Sequence, residues 1–226
     1  MRSGPIIINI DTALQQAMIS ISCGSEILGY ITNDTQKEHA TILHSGIQDL
    51  LNENHLKIEE VDAVSVVTGP GSYTGLRVGI ASAKGLSYAL KKPLISIGTL
   101  ELMAKCAVDN CSSKDQYYCP MIDARRMEVY TATYNNKLEQ IIEPSAIILE
   151  KGTMNILHDK PTLYFGDGAK KLSIIDPDAL INSFDLTPGI ISSMAFVKYE
   201  SQVFIGAFTL SPLYIKDFFT IKSSYK

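Results

Sequence analysis

Two carboxylates sit where strand-like runs end, a position suited to phosphate chemistry. Asp11-Thr12 follows Ile6-Ile7-Ile8-Asn9-Ile10, and Asp123 follows the run from Tyr117 to Ile122. A carboxylate there can position a hydrated magnesium ion, provided a glycine-rich turn lets the backbone approach phosphate. The turn after Asp11 is Ala13-Leu14-Gln15-Gln16, and the one after Asp123 is Ala124-Arg125-Arg126; neither contains glycine. Each Asp serves equally well as a turn and cap residue. Gly166-Asp167-Gly168, ahead of a helix-like segment from Ala169, can hug an adenosine or simply make a tight strand-to-helix turn.

Other constellations fail on spacing. His39 and His44 lie five apart on one helical segment, about 140° around the helix, which is a poor chelate. His55 and His158 are isolated. In Thr68-Gly69-Pro70-Gly71-Ser72-Tyr73-Thr74-Gly75 no lysine follows the loop as a phosphate-cradling P-loop requires, although a backbone anion nest at the helix start stays open. Ser72 lies outside any Gly-x-Ser-x-Gly elbow and has no histidine near it in sequence. Cys23, Cys106, Cys111 and Cys119 lack Cys-x-x-Cys spacing and read as ordinary thiols.

The elements that must hold these residues alternate in type. Strands are expected over 6–10, 17–22, 26–31, 63–67 and 94–97, with helices over 37–52, 74–90 and 99–108. Further on, strands are expected over 117–122, 127–134 and 163–165, then a short helix from 169 and a last helix over 192–207. This is an α/β pattern of mixed sheets flanked by helices, with a polar stretch near 109–116 between two lobes. The lobes are expected as 1–108 and 109–226, the last helix and tail packing back on the first. A net charge of −4 in 226 residues argues against autonomous binding of nucleic acid. No 18-residue apolar run or signal-peptide pattern is present, so a cytoplasmic soluble protein is expected.

Segment 74–90 carries Gly75, Gly79 and Gly85, each costing a helix about 1 kcal/mol relative to Ala. Close backbone approach to a neighbour is the usual return. Gly75, Gly79, Ser82 and Leu86 share one face, with Leu76, Ile80 and Ala83 beside them. Such a helix packs on its own sheet and on something else, or is buried on both sides within one lobe.

The Asp11-Thr12 strand end, the Gly69–Gly79 run, Ile97-Gly98-Thr99-Leu100-Glu101, Asp123-Ala124-Arg125 with Glu128-Val129-Tyr130, the Gly166–Ala169 turn and Pro212-Leu213-Tyr214-Ile215-Lys216 together resemble the bacterial TsaB (YeaZ) family. Relatives often carry glycine where this chain has Met127. The resemblance implies a two-lobed actin-like (ASKHA) fold and a non-catalytic dimerisation subunit in tRNA threonylcarbamoyladenosine synthesis. It implies a TsaD-type catalytic partner, a TsaE-type ATPase in the complex, a homodimer when alone, and contact with tRNA only through the complex. TsaD-type proteins carry a His-x-x-x-His metal pair on the helix that here reads Thr99-Leu100-Glu101-Leu102-Met103-Ala104-Lys105. No metal or cofactor is then required by this chain, with ATP or ADP confined to the complex interface and Asp11, Thr12, Gly166, Asp167 and Gly168 a vestigial nucleotide site.

The implied partner interface comprises His39, Leu43, Ile47, Gly75, Gly79, Ser82 and Leu86. On that reading Gly79→Leu blocks assembly while each lobe stays folded. The competing expectation is an active actin-fold ATPase or phosphotransferase using Asp11 and the Gly166–Gly168 turn. A glycoprotein endopeptidase, the older label of the family, finds no metal pair or triad in the sequence.

Overall fold

A computed structural model describes residues 4–35, 39–113, 115–154 and 159–216. The chain forms β1 (Ile6–Asp11), β2 (Ala17–Cys23), β3 (Glu26–Asn33), α1 (His39–Glu53), β4 (Ala63–Val67), α2 (Tyr73–Leu90), β5 (Leu94–Ile97) and α3 (Thr99–Asn110). The second half contributes β6 (Tyr117–Asp123), β7 (Glu128–Tyr134), β8 (Gln140–Ile148), β9 (Thr162–Phe165), α4 (Ala169–Ile175), β10 (Ile181–Asn182) and α5 (Pro188–Glu200).

The two halves repeat one topology. The first sheet runs β3-β2-β1-β4-β5, and the second β10-β9-β6-β7-β8. In each, a three-strand antiparallel meander is followed by strands that add parallel to its first member, β4 on β1 and β9 on β6. Parallel addition needs a crossover, and α1, α2 and α4 fill that role. Every residue of β1 is buried, because α1 and α2 cover one face of the first sheet and α5 the other. That is why β1 reads as an unbroken apolar run rather than an alternating one. Its one polar interior position, Asn9, is satisfied within the sheet: it donates to Ser20 Oγ and Ser22 Oγ at 3.3 and 3.2 Å and accepts from Ser65 Oγ at 2.6 Å.

Chain order and packing part company at two helices. α3 belongs by position to the first half, yet Leu100, Met103, Ala104 and Ala107 pack on the second sheet, while Leu102 and Cys106 stay in the first core. α5 follows the second half in sequence and packs on the first sheet. Lys198 of α5 ties this arrangement together, reaching Ser96 O and Glu101 Oε2 at 3.1 Å each.

Three elements differ from the pattern expected of the sequence: β8 and the two-residue β10, neither of them expected, and α5. β8 carries Pro144, which removes a ladder donor; it is tolerated because β8 is an edge strand. α5 starts four residues earlier than its apolar run suggests, with Thr187 as N-cap and Pro188 in its first turn, and it ends at Glu200 instead of 207. The start of the 37–52 segment, the side chains of His39 and Ala40, and His158 lie outside the described residues.

Candidate functional site

At the end of β1, Asp11 is 2% exposed and Thr12 fully buried. Asp11 Oδ1 accepts from the Ala13 N–H at 2.9 Å, and Thr12 Oγ1 donates to Gly75 O at 2.7 Å. The Gly69–Ser72 loop closes over the same turn, its Ser72 N–H donating to Ala13 O at 2.6 Å. Side-chain carbons at Gly71 and Gly75 would overlap the carbonyl oxygens of Ala13 and Thr12, and one at Gly79 would overlap Thr12 Oγ1. The glycines of the loop and of α2 are therefore what lets α2 lie directly on β1. Burial pushes the Asp11 carboxyl up to about 6, against a weaker lowering by the Ala13 N–H.

The second-lobe turn is equally committed. Gly166 adopts φ +100°, and a side chain there would overlap Met121 O and crowd the Met103 methyl. At Gly168 it would press on the Val129 methyl and the β6 backbone. Asp167 Oδ1 accepts from the Asp123 N–H at 2.9 Å, and the Gly168 N–H donates to Met121 O at 3.0 Å. Lys171 beside Asp123 Oδ1, at 2.7 Å, holds that carboxyl below its usual range, helped by the Arg125 N–H. Thr12 Oγ1 and one carboxylate oxygen each of Asp11 and Asp167 are bonded within the fold, and the space beside Gly166 and Gly168 is filled. Among the described residues no group of three or more His, Cys, Asp or Glu stands where it could hold a metal ion. On α3, Thr99 and Met103 have the spacing of a helical ligand pair; both are buried, and Thr99 Oγ1 has no hydrogen-bond partner.

The expected partner face needs correction. Leu43 and Ile47 are 0% and 4% exposed and belong to the first core, and Gly75 and Gly79 face Thr12 of their own lobe. Apolar and small residues at helical spacing marked the inward side of α1 and α2. Ser82 and Leu86 lie half-buried at the seam between these helices, where Ser82 Oγ meets His44 Nε2 at 3.3 Å. The outward stripe of α2 is Thr74, Arg77, Ala81, Gly85 and Tyr88, flanked on α1 by Thr41, His44 and Gln48. A side chain at Gly85 would meet nothing within 4 Å.

The sequence reading missed how the C-terminal segment extends this stripe. Arg77 Nε donates to Tyr214 Oη at 3.0 Å and its guanidinium lies 3.9 Å from the Tyr73 ring centre, with Tyr73 and Tyr214 5.2 Å apart. At the other end Tyr88 meets Phe208, which is 85% exposed, edge-on at 5.7 Å. The Leu213 N–H donates to Thr68 O at 2.8 Å. A shallow cleft of about 290 Å³ lies beside the same loop, between Gly69, Pro70, Gly98 and Glu101 on one side and Tyr134 and Gln140 on the other.

The family model for TsaD, tRNA N6-adenosine threonylcarbamoyltransferase, matches residues 13–158. The tRNA threonylcarbamoyladenosine biosynthesis protein TsaB of Bacillus subtilis is 29% identical over 164 residues, 71% of this chain and 70% of that one. Its namesake in Haemophilus influenzae is 26% identical over 225 residues, 94% of each chain. The crystal structure of YeaZ from Pseudomonas aeruginosa superposes with a TM-score of 0.78 at 21% identity, over 93% of this chain and 99% of that one. With two repeated five-stranded sheets in an α/β architecture and a family match across most of its length, this chain belongs to the TsaB (YeaZ) family within the TsaD group.

Proposed function

We propose that this chain is the non-catalytic docking subunit of the assembly that makes tRNA threonylcarbamoyladenosine. It seats on a TsaD-type catalytic subunit through the outer faces of α1 and α2, and on a second copy of itself when alone. A TsaE-type ATPase joins the complex, and tRNA is reached through the complex in the cytoplasm; among the described residues no helix is long and apolar enough to cross a membrane. The observation that carries this reading is the commitment of the β1 end: Thr12 and Asp11 are buried and bonded inside the lobe, while the opposite side of the same helix, Ala81 and Gly85, stands open. Small residues let a partner helix approach closely, and Tyr88 with Arg77 supplies the aromatic and guanidinium anchors on which interfaces concentrate their affinity.

Gly85→Leu tests it. The variant is expected to melt no lower than the parent, since the new side chain enters open space and a helix accepts Leu better than Gly. Affinity for the TsaD-type subunit, read by light scattering and calorimetry on mixed samples, is expected to fall at least tenfold. Undiminished assembly by the folded variant would move the interface elsewhere. Nucleotide turnover by the purified single chain would instead favour the ATPase reading.

A further inference from the structure

The turn between β6 and β7 places two arginines in succession in the left-handed region, Arg125 at φ +69° and Arg126 at φ +47°. Left-handed positions suit Gly and Asn, because the β-carbon of most residues crowds the following carbonyl oxygen there. The backbone is nevertheless well fixed. Ala124 N–H donates to Glu128 O at 3.1 Å, Glu128 N–H to Arg125 O at 3.2 Å, and Arg125 N–H to Asp123 Oδ1 at 2.6 Å.

The carboxylates around the turn are already occupied. Lys171 pairs with Asp123 and donates to Glu128 O, Lys216 of the C-terminal segment pairs with Glu128, and Asp167 accepts from the Asp123 N–H. Both arginines are exposed, and among the described residues neither guanidinium has an ion pair. Lys171 and Lys216 thus answer Asp123 and Glu128, and the two arginines add positive charge beside them in a chain whose net charge is −4. Strained in backbone and exposed, with guanidinium groups that form no ion pair among the described residues, the arginine side chains serve something outside the fold.

We propose that the Arg125-Arg126 turn is an RNA-contact element, lending two guanidinium groups to the phosphodiester backbone of the RNA handled by the assembled complex. It rests on the reading of this chain as a subunit of a tRNA-modifying assembly. A guanidinium fork matches phosphate oxygens in paired hydrogen bonds. Two adjacent guanidinium groups without an ion pair suit a polyanion, which draws its affinity from cations of this kind. Two contacts are far too few for the isolated chain to hold RNA by itself. They act once the catalytic subunit supplies the rest.

The test is Arg125→Asn/Arg126→Gly, which removes both charges and gives the turn the residues its backbone prefers. Loss of strain is expected to raise Tm by about 2–4 °C. Binding of a fluorescent tRNA to the complex with the TsaD-type subunit is expected to weaken roughly tenfold near 0.1 M salt. The slope of log K against log salt should become shallower by about 1.5. Arg125→Glu/Arg126→Glu should weaken RNA binding further while leaving assembly intact. An unchanged slope in an intact complex overturns the proposal, as does a charge-reversed variant that loses the catalytic subunit instead of RNA, which would mean an acidic protein face sits on the turn. Failure of the parent chain to assemble at all overturns the underlying functional reading, and the proposal with it.

Discussion

Gly75→Ala is expected to lower Tm by about 4–8 °C, whereas Gly85→Ala, ten residues further along the same helix, should raise it by about 2–4 °C. At Gly75 the added methyl would overlap the carbonyl oxygen of Thr12. That oxygen is backbone of a fully buried strand end, so no rotamer change relieves the contact; α2 has to lift away from β1. Lifting it stretches the bond from Thr12 Oγ1 to Gly75 O and loosens the contact of Gly79 with Thr12. Overpacking of this kind costs about 3 kcal/mol, against about 1 kcal/mol returned by alanine's better helix propensity. The net loss of about 2 kcal/mol sets the expected shift. At Gly85 nothing lies within 4 Å, and the propensity gain stands alone. Thermal melts of the two variants beside the parent decide the matter, and shifts of equal sign would contradict the packing of α2 on β1.

The same contrast shows where sequence reasoning stops. That residues 73–90 form a helix and that its glycines imply close approach were both legible from residue type and spacing. Which neighbour each glycine approaches was not. Gly75 and Gly79 differ from Gly85 only in their angle around the helix, and that angle acquires meaning once β1 and Thr12 are in place. Leu43 and Ile47 misled for a related reason: helical periodicity of apolar residues marks a buried side, and the nearest sheet claims it first. The outward face is then built from residues such as Thr41, His44, Ala81 and Gly85, which form no run of large apolar side chains. Contacts such as Arg77 to Tyr214, 137 positions apart, leave no trace in local pattern. By contrast the strand ends at Asp11 and Asp123 and the Gly166–Gly168 turn were visible, because backbone geometry there demands particular residue types. The duplicated sheet order was hidden, since β8 is interrupted by Pro144 and β10 is only two residues long.

Asp11→Asn is expected to remove a pH dependence of stability amounting to about 3 kcal/mol between pH 3 and pH 7. Burial pushes the Asp11 carboxyl from 3.8 up to about 6, an interval of about 2.2 pH units at about 1.4 kcal/mol each. The folded chain therefore binds a proton that the unfolded chain has already released over that window, and stability falls as pH rises through it. Below about pH 3 both states are protonated and nothing is lost; above about pH 7 the whole penalty of a buried carboxylate is present. Asparagine keeps the acceptor for the Ala13 N–H and carries no charge, so its unfolding free energy should lose this component. The measurement is urea denaturation of parent and variant at several pH values. Their difference should shift by about 3 kcal/mol in favour of the variant from pH 3 to pH 7, and a flat difference would mean that Asp11 is solvated. The same pair of proteins bears on chemistry. An ionised Asp11 holding a metal-bound phosphate would make nucleotide hydrolysis fall in the variant. A carboxyl shut beneath the Gly69–Ser72 loop leaves parent and variant alike at the background rate, while the variant is the more stable protein at neutral pH.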